Sequence, residues 1–277
     1  MSSISEKEFL LFREYIEKIC GVHLEPEKMY LIESRLASLM VENGFENFYD
    51  FYKKISQNNN ISLKEKIIDA ITTHETLWFR DSSPFVILGE ILKKYSDEIK
   101  SQKRSKIRIW CAACSTGQEP YSVAITILEE YRKGSGLSPD KTEILATDIS
   151  PTALFMAQNG KYDALSVSRG LPLELREKYF EIKGKIWSIK DEVKKMVTFK
   201  KQNLMEDFSW LGKFDIVFCR NVLIYFTDPL KKDILTKIAK LLRPEGYLFV
   251  GSSESISLYS NEYKMIKHSI GLYYQVI

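Results

Sequence analysis

Four cysteines and three histidines in 277 residues leave little material for a metal centre or a disulfide framework. Cys20 and Cys219 stand alone, and His23, His74 and His268 form no spaced pair. Structural zinc usually draws on two close ligand pairs, and only Cys111 and Cys114 make one. No run reaches the roughly 18 apolar residues that a membrane-spanning helix requires. The opening "MSSISEKEFLLFREYIEKIC" interrupts its apolar residues with charge, so no secretory leader is expected there. Charge of one sign is scarce too. The 40 Lys and Arg against 37 Asp and Glu leave +3, too little to expect a nucleic-acid partner. These absences, with 44% hydrophobic and 28% charged residues, predict a cytoplasmic globular protein with reduced thiols.

What is present falls into two grammars. Ser5 and Glu8 have the spacing of a capping box, and Phe9, Phe12, Ile16 and Ile19 then share one helical face. A second helix is predicted from near Pro26, burying Met29, Ile32, Leu36 and Leu39 and ending at Gly44. Shorter helices are predicted from Asn47 and from Ser62, the latter with Glu65 as a second capping box. Residues 1–75 thus read as a small all-helical domain and 76–105 as a linker with a connecting helix. The basic stretch "KSQKRSKIR" (100–108) reads as a solvated helix end.

From residue 106 the pattern changes. "IRIWCAA" is a continuous apolar run, the mark of a strand buried on both faces. Helical "EPYSVAITILEEYRK", strand-like "EILATD", helical "SPTALFMAQNG", then "FDIVFC", "DPLKKDILTKIAKLL", "GYLFVGSS" and "GLYYQVI" follow. That rhythm predicts an α/β fold over 106–277: a Rossmann-like, doubly wound, mostly parallel sheet covered on both faces, with the last strand a candidate antiparallel addition. Residues 179–199 break the rhythm and read as an inserted β-subdomain, a hairpin turning at Lys183-Gly184-Lys185.

The stretch "WCAACSTGQEPYS" (110–122) decides the chemistry. A redox C-x-x-C should open a helix, where its thiolate is stabilised; here the pair closes a strand and five residues intervene. The positional alternative is stronger, because ligands of doubly wound folds sit outside the carboxyl ends of the strands. Gly117 would let a ligand approach the backbone, Glu119 would face positive charge, and Asp148, ending the next strand, would reach ribose hydroxyls. With one glycine and no G-x-G-x-x-G, the turn is ill suited to pyrophosphate. A smaller adenosyl ligand such as S-adenosylmethionine fits better, with no metal.

At these residues the chain resembles a known family. "TTHETLWFRD" (72–81), "IWCAACSTGQEPYSVA" (109–124), "ATDIS" (146–150), "FDIVFCRNVLIYF" (214–226) and "GYLFVGSSES" (246–255) are similar, in order, to the signature blocks of CheR-type chemoreceptor glutamate methyltransferases. The resemblance implies transfer of the methyl of S-adenosylmethionine to the γ-carboxylate of glutamates on the cytoplasmic helical domain of chemoreceptors. The products are glutamate methyl esters, used in chemotactic adaptation, and S-adenosylhomocysteine. It also implies that His74, Thr76 and Arg80 lie at the cofactor, and that Glu119 meets its amino group and Asp148 its ribose. Asn203 and Leu204 would flank the adenine, and Asn221 and Val222 the methionine side. Arg80 and Tyr225 would position the substrate carboxylate. For Arg80 an interdomain salt bridge, and for Tyr225 a packed aromatic, are the plainer readings.

Three departures from the family stand out. His74 replaces the family's usual Asn. The second helix keeps Lys28 and Arg35 as receptor-docking cations but has Ala37, Ser38 and Val41 where other arginines are usual. The short "EIKGKIWSI" predicts a member that needs no receptor pentapeptide tether. A monomer is expected. The rival readings are a non-catalytic sensor or scaffold that binds S-adenosylmethionine, and a carboxyl methyltransferase acting on another protein.

Overall fold

A computed structural model describes residues 3–57 and 60–277. The helical part comprises α1 (Glu6–Cys20), α2 (Met29–Glu42), α3 (Phe48–Gln57) and α4 (Ile61–Ile71). The capping box of α1 forms: the Ser5 amide donates to Glu8 Oε2 at 2.8 Å, and the Glu8 amide to Ser5 Oγ. Phe9, Phe12, Ile16 and Ile19 are buried as their spacing predicts, in a core shared with Ile32, Leu36, Phe48, Phe51, Ile67 and Ile68. Two expectations shift. Pro26–Lys28 is a 3₁₀ turn ahead of α2. Asn60, not Ser62, caps α4, its side-chain oxygen accepting the Leu63 amide at 3.1 Å, so Ser62 falls inside the first turn.

The α/β part follows as α5 (Ser83–Lys100), β1 (Ile107–Ala112), α6 (Gln118–Arg132), β2 (Thr142–Asp148), α7 (Pro151–Asn159), β3 (Lys161–Asp163), α8 (Ala164–Ser168), α9 (Leu173–Tyr179), β4 (Phe180–Lys183), β5 (Ile186–Ile189), α10 (Asp191–Lys194), β6 (Val197–Lys201), β7 (Phe214–Cys219), α11 (Asp228–Leu241), β8 (Leu242–Phe249), β9 (Tyr263–His268) and β10 (Gly271–Val276). Seven strands form one sheet in the order β6-β2-β1-β7-β8-β10-β9. The first five are mutually parallel, and β10 pairs antiparallel to both β8 and β9. The period of two in β1 sends Ile107, Ile109 and Cys111 into the core under α5 and α6. Trp110 and Ala112 point into the opposite core, with Ile234, Leu235 and Ile238 of α11.

Helix α5 lies within the connecting segment 76–105, and its Phe85, Leu88 and Leu92 are buried in the sheet's core. The small sheet is β3-β5-β4; it recruits residues 161–163, while residues 197–201 pair with β2 at the edge of the large sheet. Within the basic stretch, Arg104 and Arg108 are engaged rather than merely solvated. Arg104 pairs with the buried Asp215 and with Glu98, and the Arg108 amide also donates to Asp215. Among the described residues no helix is long and apolar enough to cross a membrane.

Candidate active site

Chain order reverses direction across the sheet between β1 and β7, which is where doubly wound folds open a crevice. The loops leaving these strands form one wall of a cleft of about 1100 Å³, counting the part open to solvent. The opposite wall comes from the helical part, through Val22, His23, Leu24, Leu31 and Arg35, and the segment 71–77 with Arg80 closes the side. The site therefore belongs to neither part alone.

The backbone around it is strained. Of the eight non-glycine residues with positive φ among the described residues, six border this region: Phe79, Asp81, Ser82, Ala113, Ser115 and Asn221. Such conformations cost about 1–3 kcal/mol each and cluster where surrounding structure holds a functional geometry. Here the restraints are visible. Ser115 Oγ donates to the His74 carbonyl at 3.0 Å, the Ser115 amide to Asp148 Oδ2 at 2.7 Å, and the Phe79 amide to Ser122 Oγ at 3.0 Å.

Two carboxylates reach the cleft. Asp148, buried at the end of β2, accepts the Ser115 amide on one oxygen and the Ser150 amide, at 2.9 Å, on the other. A carboxylate has about four lone-pair sites, so each oxygen can still accept from a ligand hydroxyl. Burial pushes the Asp148 carboxyl up, against the lowering effect of those amides and of His74. Glu119, in the first turn of α6, is likewise pushed up by burial and held down chiefly by Arg220, whose Nη1 donates to Glu119 Oε2 at 2.9 Å. A third acid, Glu254, is 8% exposed and organises the loop after β7, accepting the amides of Asn221 and Gly251 at 2.7 Å each.

His74, Thr76, Arg80, Glu119, Asp148, Asn221, Val222 and Tyr225 all line the cleft. The Thr72 hydroxyl donates to the Ile68 carbonyl at 2.7 Å, so the 3.0 Å contact between Thr72 Oγ1 and His74 Nε2 has the imidazole as donor. His74 thus donates through Nε2, as the amide nitrogen of an asparagine could. The Arg80 guanidinium makes one long hydrogen bond, to the Glu75 carbonyl at 3.5 Å. Among the described residues it has no salt bridge, so the plainer interdomain pairing does not form. Tyr225 packs against the helical core, and its carbonyl accepts the His23 amide at 2.8 Å.

Four expected residues are placed otherwise. Gly117 does not line the cleft; at φ +96°, a Cβ there would lie 2.9 Å from the Ala157 Cβ and 3.2 Å from Tyr121. The packing of α6 against α7 by itself requires this glycine. Asn203 turns its amide to the last turn of α1, donating to the Ile19 carbonyl at 3.1 Å, and Leu204 is 6% exposed in the α11-side core. Neither lines the cleft. Arg35 does, but its guanidinium donates to the Ile71 carbonyl and to Thr73 Oγ1 at 3.3 Å, so it fastens the connecting segment instead of standing free as a docking cation. Lys28 remains exposed at the cleft. Cys111 and Cys114 are buried core residues whose thiols burial pushes well up. They stay protonated at neutral pH, the unreactive form.

Arg220 and Glu254 escaped the sequence reading. The signal was slight: an arginine at a strand's carboxyl end and a glutamate in "SSES", both of residue types usually solvent-exposed. Only the fold shows them buried.

The cleft combines apolar walls with two acids, and so suits a cationic nucleoside better than a polyphosphate; the donor set fits S-adenosylmethionine. Fold and site together define a doubly wound protein that binds a nucleoside at the switch point of its sheet. The description "CheR methyltransferase, SAM binding domain" matches residues 74–272, and "CheR methyltransferase, all-alpha domain" matches residues 7–72. The chain belongs to the CheR methyltransferase family and is an S-adenosylmethionine-dependent methyltransferase. It is 42% identical over 274 residues to the chemotaxis protein methyltransferase Cher2 of Pseudomonas putida, covering 99% of each chain. It is 44% identical over 275 residues to chemotaxis protein methyltransferase 1 of Vibrio cholerae, covering 99% of this chain and 98% of that one. A chemotaxis protein methyltransferase of Borreliella burgdorferi is 40% identical over 240 residues, covering 85% and 83%.

Proposed function

We propose that the protein methylates the γ-carboxylates of glutamates on the cytoplasmic helical domain of chemoreceptors, acting in the cytoplasm. The observation that carries the reading is the cleft itself. The Arg80 guanidinium has no ionic partner among the described residues and shares one space with Tyr225, Glu119 and Asp148. A substrate anion would meet a free cation beside the two acids that suit the cofactor. The relatives named for chemotaxis over the full length support the choice of substrate.

In this reading Glu119 takes the cofactor's ammonium and Asp148 its ribose hydroxyls, while His74, Thr76, Asn221 and Val222 shape the pocket. When bound, S-adenosylmethionine supplies a methyl group already activated by its sulfonium. The attacking glutamate is ionised near neutral pH, so the protein need supply no general base. Its residues would hold the two reactants in line and keep water out. Arg80 holds the oxygen that does not attack, and Tyr225 fixes the approach. Transfer to the glutamate oxygen would leave the former carbon–sulfur electron pair on the sulfur of S-adenosylhomocysteine.

The helical part, residues 1–75, supplies the docking face, with Lys28 as its free cation at the cleft. Incubation with methyl-labelled S-adenosylmethionine and receptor cytoplasmic domains should give base-labile label on glutamate, located by mass spectrometry. Cofactor binding without any ester would instead indicate a sensor, and an ester on some other protein a different substrate.

A further inference from the structure

Arg220 is a charged side chain only 1% exposed, placed at the carboxyl end of β7 where it touches two other elements at once. Its Nη1 donates to Glu119 Oε2 of α6 at 2.9 Å. Its Nη2 donates to Asp81 Oδ2 at 2.7 Å and to the Arg80 carbonyl at 2.9 Å. The guanidinium lies 5.9 Å from the Phe85 ring centroid. Both flanks of the clamped peptide are strained, with Phe79, Asp81 and Ser82 at positive φ, so Arg80 stands on a bend that something must hold.

We propose that Arg220 is a positioning residue for methyl transfer: one buried guanidinium orients the Glu119 carboxylate toward the cofactor's ammonium and, through the Arg80 carbonyl, sets where the Arg80 side chain stands. This rests on the reading of the cleft as an S-adenosylmethionine site. Arginine is required because its planar fork reaches acceptors in two directions, which a lysine point charge cannot do. Charge follows the same geometry. Glu119 is faced by Arg220, by Arg80 of the bend, by Glu254 after β8, and by the thiols of Cys111, Cys114 and Cys219, while Asp81 shares the Arg220 guanidinium with it. Of these, Arg220 opposes the burial of Glu119 most strongly.

The test is calorimetric titration of the full chain with S-adenosylhomocysteine across pH, for wild type, Arg220→Met and Arg220→Lys, each with and without Glu119→Gln, alongside kcat on a receptor domain. Arg220→Met is expected to bind at least about tenfold more weakly, since it leaves a buried carboxylate unpaired. Its affinity should be lost on acidification at a higher pH than in the wild type, and that upward displacement should vanish in the Glu119→Gln background. A merely structural arginine would not move this pH midpoint. Arg220→Lys should keep a near-wild-type pH midpoint yet lose about tenfold or more in kcat, because the Arg80 carbonyl is released. An unmoved midpoint in Arg220→Met, or a displacement that persists with Glu119→Gln, overturns the proposal. Should Arg220→Met not fold, unchanged kcat in Arg220→Lys overturns it alone. Absence of binding by the wild type overturns the cofactor reading itself.

Discussion

Gly170 lies against the backbone of Trp78 so closely that a Cβ built on it would collide with the Trp78 carbonyl oxygen. The contact is reinforced on both sides. The Trp78 amide donates to the Arg169 carbonyl at 3.1 Å, the Trp78 indole to the Ser166 carbonyl at 3.1 Å, and Arg169 pairs with Glu75 at 2.8 Å. Helix α8 and the turn that joins it to α9 thus brace the segment that carries Arg80, two residues beyond Trp78. Gly170 also has φ +88°, so Gly170→Ala combines strain with a backbone clash. It should lower stability in urea by more than about 1 kcal/mol and reduce methyl transfer further than that loss explains. Full activity in a stably folded Gly170→Ala would show that the brace does not reach the site.

Arg80→Ala should lower kcat by about 10²-fold or more while S-adenosylhomocysteine binding, followed by calorimetry, weakens only modestly. Tyr225→Phe should give a smaller loss with the same pattern. Near-wild-type methylation by Arg80→Ala would remove Arg80 from the mechanism.

Both cleft acids have carboxyls pushed up by burial, and the sign of the effect on ligand binding follows. Each must be ionised to accept from a cationic nucleoside. On acidification they take up protons earlier than ordinary carboxylates near pH ~4, so S-adenosylhomocysteine affinity should begin to fall above that range. For folding the sign is opposite. A carboxyl raised in the folded state opposes folding once it is ionised, and that cost is relieved as pH falls through its folded value. Asp148→Asn should therefore weaken binding at neutral pH while flattening part of the acid limb. An acid limb identical in wild type, Asp148→Asn and Glu119→Gln would contradict the assignment.

Lys28 and Arg35 should separate cleanly. Lys28 is exposed, so Lys28→Ala should raise KM for receptor, in a salt-dependent way, with kcat and cofactor affinity kept. Arg35 fastens the connecting segment through Ile71 and Thr73, so Arg35→Ala should weaken cofactor binding as well. Equal effects of the two on receptor KM alone would return Arg35 to a docking role.

The hairpin of β4 and β5 turns at Gly184 without a longer loop. We expect no tight binding of a receptor C-terminal pentapeptide in a calorimetric titration, and methylation rates that do not depend on that peptide. Tight binding would place this chain with the tethered members.

Local pattern sufficed for the elements. The faces of α1 and α2, the two-sided burial of β1 and β7, and the acid ending β2 follow from periods of 3.6 and 2 and from strand-end position, because each depends on near neighbours in the chain. At α4 both Asn60 and Ser62 are cap-forming residue types, and only backbone geometry selects Asn60. Tertiary structure alone decided which residues meet. Gly117 packs α6 against Ala157 of α7, a contact the turn's sequence does not reveal. Asn203, expected at the adenine, and Arg35, expected to dock the receptor, donate to the carbonyls of Ile19 and Ile71. Arg220, which no local pattern marked, is buried between Asp81 and Glu119. Sequence spacing specifies which way a side chain leaves its own element, but the burial of a charge, and the partners that make it tolerable, depend on segments more than a hundred residues apart, such as Glu119 and Arg220 at a separation of 101, brought together only when the sheet closes.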